Sequence, residues 1–160
     1  GCKKSGANVN LILLRKVNPT PCCGWSDCYY KNYCIVKDEF HKLYSELGKA
    51  DAWVLASPTY FDNVSTYMKI FIDRMNPYCK PPSYKGKKIF LLCVGGASIR
   101  STKRCERALK RFCFHLQVKV VGSVLAVADH EKEILKDKKK LKECVEAGSS
   151  FVNKLKRKDK

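Results

Sequence analysis

Apolar residues recur along this chain with two different periods. Short, nearly continuous apolar runs fall at residues 9–14, 52–56, 88–94 and 118–127, the pattern of strands covered on both faces. Between them, apolar positions return every three or four residues. One set is Phe40, Leu43, Tyr44 and Leu47; the next is Val64, Met68, Phe71, Ile72 and Met75. Cys105, Leu109, Phe112 and Leu116 follow, and Ile134, Leu141, Val145, Val152 and Leu155 close the series. Each set marks the inward face of a helix. Punctuation agrees with these spans. Asp38 is placed to cap a helix that Gly48 closes, Pro77 stops the next one, and Gly122 interrupts the last strand with a break or bulge.

Strands alternating with helices predict a parallel sheet with helices on both faces, an α/β three-layer sandwich. No internal repeat or low-complexity linker divides the chain, so residues 1–160 read as a single domain. Residues 1–5 read as the end of a helix leading into the first strand. A doubly wound sheet ordinarily opens with a strand, a Gly/Ser-rich phosphate loop and a helix. The expectation is therefore that one βα unit, about thirty residues, is absent before residue 9.

Composition narrows the class. An apolar fraction of 45% supports a folded chain. The longest apolar run is too short to span a bilayer, and no apolar core follows the first residues as a signal peptide requires. These points predict a soluble, cytoplasmic protein with no membrane partner. The formal charge is +17, which raises nucleic acid as a partner. The densest basic runs, residues 136–142 and 154–160, lie on the terminal helix, where Glu131, Glu133, Asp137, Glu143 and Glu146 interleave with them. That mixture favours a solvated helix face over a nucleic-acid surface. Ten cysteines in a chain without an export signal read as reduced thiols, with Cys93, Cys105 and Cys113 at core positions.

Two segments hold the candidate chemistry. Residues 57–63, Ser-Pro-Thr-Tyr-Phe-Asp-Asn, leave the carboxyl end of a buried strand and lead into a helix, the place where open α/β sheets bind ligands. Pro58 fixes the exit from the strand. Tyr60 and Phe61 offer flat apolar surface, and Asn63 can bond a polar ring edge. Gly95 and Gly96, after the next strand, permit close backbone approach. The second segment packs Cys22, Cys23, Cys28 and Cys34 into residues 22–34.

Taken in order, Pro21-Cys22, Cys28, Cys34 to Asp38, Ala50-Asp51-Ala52, the run from Ser57 to Ser65, Lys69 and Asp73-Arg74 resemble the NAD(P)H-dependent FMN reductase and iron–sulfur flavoprotein family over nearly the whole chain. The resemblance implies a flavodoxin-like fold. It further implies that Ser57, Pro58, Thr59, Tyr60, Phe61, Asp62 and Asn63 wrap the isoalloxazine ring of FMN, with Gly95 and Gly96 beside it. The family's phosphate-binding loop is not found in the sequence. Its iron–sulfur members space their ligands C-x2-C-x2-C-x5-C. Here those positions are Cys22, Trp25, Cys28 and Cys34, with Cys23 as a candidate substitute. A [4Fe–4S] cluster, a structural zinc and no metal at all remain three open readings.

The resemblance implies an FMN-dependent oxidoreductase. It would pass electrons from NAD(P)H or a ferredoxin-like donor to a small acceptor such as a flavin, a quinone or an oxygen species. No side chain is assigned as general acid or base. An electron carrier that never uses nicotinamide is the alternative, and a basic nucleic-acid-binding protein is a distant third. A homodimer or homotetramer is implied, and Trp25, Tyr29, Tyr30 and Tyr33 would suit its interface.

Overall fold

The computed structural model describes residues 1–130 and 132–157. Glu131 and the end of the basic tail, residues 158–160, lie outside the described residues. The chain opens with a 3-10 turn, Lys3–Ser5, closed by Gly6 in the left-handed region. Two one-turn helices follow, α1 (Leu14–Val17) and α2 (Cys28–Lys31), and then α3 (Phe40–Lys49). The central unit is β1 (Ala52–Tyr60), β2 (Asn63–Val64) and α4 (Thr66–Arg74). It leads to β3 (Lys88–Gly95), α5 (Ile99–His115), β4 (Lys119–Val127) and α6 (Lys138–Lys156).

The sheet order is β2-β1-β3-β4, with β1, β3 and β4 parallel and β2 folded back antiparallel on the end of β1. Alternation along the strands separates the two faces. Trp53 and Leu55 of β1 sit in register with Ile89 and Leu91 of β3, all buried. With Phe40, Leu43, Phe71, Leu109 and Phe112 they form the main core under α3, α4 and α5. On the opposite face Phe90 meets Phe151 of α6, ring centroids 5.6 Å apart. Helices on both faces make the expected three layers. A bulge between Ile89 and Phe90 shifts the β3–β4 register beside Gly122, where an added Cβ would stand 2.5 Å from the Phe90 ring. The predicted interruption at Gly122 is thus a seat for an aromatic ring.

Most predicted elements are found within a residue or two, and three differ. Residues 9–13 form no strand, and Leu11 is exposed. A strand needs an edge to pair with, and no described strand lies beside this run. The edge of β1 away from β3 is paired only at Thr59 and Tyr60, by β2. Val64 belongs to β2, not to the helix after it. The last helix begins at Lys138, after a separate 3-10 turn at Glu133–Lys136.

An ion pair between a buried arginine and a half-buried aspartate ties the loops to this frame. Arg74, at the end of α4, forks onto Asp38 through two bonds of 2.9 and 3.0 Å. The same guanidinium donates to the carbonyls of Thr20 and Val36 at 2.8 and 3.0 Å and stacks over Phe40. Asp38 does not cap α3 in the N-cap position, which Glu39 takes, but its carboxylate accepts from the Phe40 amide at 3.1 Å.

Candidate functional site

The segment after β1 is a two-residue hairpin. Thr59 pairs with Val64 and Tyr60 with Asn63, leaving Phe61 and Asp62 as the turn. Both have positive φ, 48° and 62°, as a type I′ turn requires. Glycine and asparagine are the usual residues there, and a left-handed L-residue costs roughly 1–2 kcal/mol. Phe61 is fully exposed and Tyr60 largely so. The turn therefore holds an aromatic side chain in strained backbone, with none of its surface buried in the fold.

Hydrogen bonds and an ion pair lock this arrangement. Ser57, buried, accepts the Ser65 amide on Oγ at 3.0 Å, and Ser65 in turn caps α4 through the Met68 amide. Asn63 Oδ1 holds the Val64 amide at 2.8 Å, which leaves its NH2 group free to donate outward. Asp62 binds Ser101 and Arg104 of α5. The Ser101 hydroxyl and then the Arg104 guanidinium hold its carboxyl below the usual carboxylate range. The hairpin is thereby pinned to the first turns of α5, whose N-cap is the Ser98 hydroxyl, 3.1 Å from the Ser101 amide.

Gly95 and Gly96 stand at the end of β3 beside the hairpin, and each has a reason inside the fold. A Cβ on Gly95 would lie 2.8 Å from Thr59 Cβ, and one on Gly96 would collide with Asp129. The two glycines thus let the β1 and β4 exits close onto β3. Beneath them Cys105 of α5 is fully buried, with its thiol donating toward the Pro58 carbonyl at 3.9 Å. Cys93 of β3 is its hydrogen-bonded neighbour. That bond holds the Cys105 thiol down, whereas the bond to Cys105 and burial push Cys93 far up. Thr59 Oγ1 is buried with no oxygen or nitrogen partner, within reach of the Cys105 thiol.

Ser57, Pro58, Thr59, Tyr60, Phe61, Asp62, Asn63, Gly95 and Gly96 therefore gather at the carboxyl ends of neighbouring parallel strands, as open α/β sheets place a ligand. The exposed aromatic faces, the free Asn63 amide and the N-terminal end of a 17-residue helix fit a planar ring with acceptor atoms on its edge. Sequence reading does not single out Ser101 or Arg104. The signal that could find them is the three- and four-residue spacing of cations from Arg100 onward, directly after the Gly-Gly turn.

The cysteine loop is a separate place. Cys22, Cys23, Cys28 and Cys34 line one cavity of about 10 Å³, with Trp25, Val36 and Arg74, room for about one water. Cys28 and Cys34 are buried, while Cys22 and Cys23 are exposed. Cys28 accepts from the Asn76 amide at 3.2 Å. Trp25, at the second position of the iron–sulfur spacing, packs on Tyr33 with centroids 5.2 Å apart. Among the described residues no group of three or more His, Cys, Asp or Glu stands close enough to hold a metal ion. Neither a four-iron cage nor a tetrahedral zinc fits this arrangement of donors. His41, the nearest histidine in sequence, is exposed and pairs with the Val36 carbonyl. Among the described residues no helix is long and apolar enough to cross a membrane.

Residues 1–132 match the family model described as NADPH-dependent FMN reductase. An iron–sulfur flavoprotein of Archaeoglobus fulgidus is 38% identical over 85 residues, which are 53% of this chain and 39% of the relative's length. The chain thus matches well under half of that relative. Among solved structures, an oxidoreductase from Corynebacterium diphtheriae superposes with a TM-score of 0.64 at 18% identity, covering 96% of this chain and 81% of that one. A WrbA-like flavodoxin from Agrobacterium tumefaciens gives 0.62 at 15% identity, covering 71% of each chain. At these identities the likeness establishes the fold, which is flavodoxin-like.

Proposed function

Because the chain belongs to the NADPH-dependent FMN reductase family, we propose that its strand-exit hairpin holds the ring of FMN and that the protein is an FMN-dependent oxidoreductase. The observation that carries this reading is the strained turn at Phe61 and Asp62, which keeps an aromatic side chain wholly in solvent. Strain of that kind persists where the surroundings over-determine it, typically at ligand sites. FMN, when bound, supplies the electron-accepting and electron-donating chemistry.

The chain's own residues place and tune that chemistry. Tyr60 and Phe61 cover ring surface, and the Asn63 amide and the turn amides donate to its polar edge. The unpaired amides at the start of α5, with Arg100 and Arg104, put positive potential beside it and favour negative charge on the ring. Electrons would come from NAD(P)H or a ferredoxin-like protein and pass to a flavin, a quinone or an oxygen species. An electron carrier independent of nicotinamide is the second reading, favoured by the arginine-rich face of α5. A homodimer or homotetramer belongs to the same proposal, with exposed Tyr30 and Tyr33 suited to the contact.

Two measurements test the function. FMN fluorescence should be quenched on titration with the protein, and NADPH should then bleach the bound flavin in stopped flow. Bleaching only by a reduced one-electron donor protein selects the carrier; no flavin binding at all removes the proposal.

A further inference from the structure

The chain has 32 Lys and Arg residues, but only seven are arginine, and four of those seven lie on α5: Arg100, Arg104, Arg107 and Arg111. Lys103 and Lys110 join them, and Glu106 is the one acid of the helix. At about 100° per residue the six cations fall within roughly 120° of arc, and they extend about 17 Å along the axis. All six are exposed. The basic helix α6 differs in residue type: its six cations are all lysine, two of them paired, Lys140 with Glu143 and Lys142 with Glu146. On α5, Arg104 goes to Asp62 and Lys110 to Glu106, while Arg111 lies over the exposed Phe114 ring, 5.2 Å from its centroid. Phe114 falls on the same arc, and exposed Ile99 sits at its edge.

From this face we infer a docking surface for an acidic protein that carries single electrons, an inference that rests on the flavin reading of the adjoining hairpin. The guanidinium fork matches carboxylates two bonds at a time, which lysine cannot do. A lysine-rich chain that places its arginines on one stripe fits recognition better than general solubility. The stripe begins at the hairpin, where Arg104 grips Asp62, so a partner lying along it sits next to the aromatic turn. Phe61 at one end and Phe114 at the other give that partner apolar anchors. A second copy does not suit the surface, because a net charge of +17 would bring cations against cations. A nucleic-acid backbone suits it less well, because the Asp62 carboxylate, paired with Arg104, stands in the stripe and would meet a continuous line of phosphates. Each donor gives up one electron, so two encounters, with two protons taken from solvent, reduce one flavin.

The test uses an oxidised acidic [2Fe–2S] ferredoxin as probe and begins with flavin-free protein, so that binding is read independently of the cofactor. Calorimetry at low ionic strength should show complex formation that weakens at least about tenfold as salt is raised, as charge-steered association does. The triple variant Lys103→Glu, Arg107→Glu, Arg111→Glu should lose it, with its circular dichroism unchanged. Arg100→Lys with Arg107→Lys, which keeps charge and removes the fork, should weaken binding severalfold. With FMN loaded, reduction by the reduced ferredoxin should slow about tenfold in the triple variant while reduction by dithionite stays the same. Wild-type affinity in the triple variant overturns the inference. So does loss of single-stranded DNA retention in a variant that still binds ferredoxin. Failure to take up FMN while salt-dependent ferredoxin binding persists counts against the flavin reading and leaves the docking surface standing.

Discussion

Replacing Phe61 by glycine separates a ligand-holding turn from an ordinary loop. Phe61 has φ of 48°, a conformation that costs an L-residue roughly 1–2 kcal/mol. Glycine removes that cost, and it adds back about 0.5–1 kcal/mol by widening the unfolded ensemble. The side chain is fully exposed, so no buried apolar area is lost. The ligand-free Phe61→Gly protein should therefore gain about 0.5–1 kcal/mol, a rise in Tm of about 1–4 °C for a chain of this size. The flavin loses an aromatic contact worth about 1–2 kcal/mol, so Kd should rise about 5–30-fold. Calorimetric melting and FMN fluorescence titration read the two effects. Phe61→Asn, which tolerates the left-handed region but has no ring surface, should behave alike, and Phe61→Tyr should keep both strain and affinity. A Phe61→Gly protein that melts lower and binds FMN as the wild type does would refute the reasoning.

The remaining predictions concern the frame around the site. Arg74→Met leaves the half-buried Asp38 carboxylate without its partner and should cost about 1–3 kcal/mol, read from urea midpoints. Burial opposes ionisation of Asp38, but the Arg74 fork and the Thr20 and Phe40 amides outweigh it and hold the carboxyl below its ordinary value. Its contribution is then fully present above about pH 4 and lost as pH falls through the lower folded value, so Asp38→Asn should flatten the acid limb of the stability curve below pH 4. Gly95→Ala places a methyl 2.8 Å from the Thr59 Cβ and should cost about 1–3 kcal/mol, with that clash relieved in a Gly95→Ala, Thr59→Gly double variant, which removes the Cβ. Protein isolated anaerobically should bind flavin without stoichiometric iron or acid-labile sulfide; a full cluster complement would contradict the reading of the cysteine loop.

Periodicity alone was enough to find the four longer helices and the three parallel strands, because each buries a stripe or a face that its spacing makes visible. The 9–14 run shows the limit of that signal. Its apolar residues fit a strand, but pairing depends on a free neighbouring edge, which no local pattern records. The hairpin shows another limit. Its place at a strand exit is legible in the run from Ser57 to Asn63, but its turn has neither Asn-Gly nor Asp-Gly, so the left-handed Phe61 has no sequence signature. Gly95 and Gly96 are visible as glycines, yet what each accommodates, Thr59 and Asp129, lies far off in sequence. In the cysteine loop the spacing brings four thiols to one cavity, while side-chain direction, which spacing does not contain, turns two of them to solvent.

Backbone amide shifts of 15N-labelled protein on titration with FMN test the central claim most directly. The account predicts saturable shifts at Thr59, Tyr60, Phe61, Asp62 and Asn63, at Gly95 and Gly96, and at the first amides of α5. No saturable shifts, or shifts confined to the cysteine cavity or to α6, would contradict it.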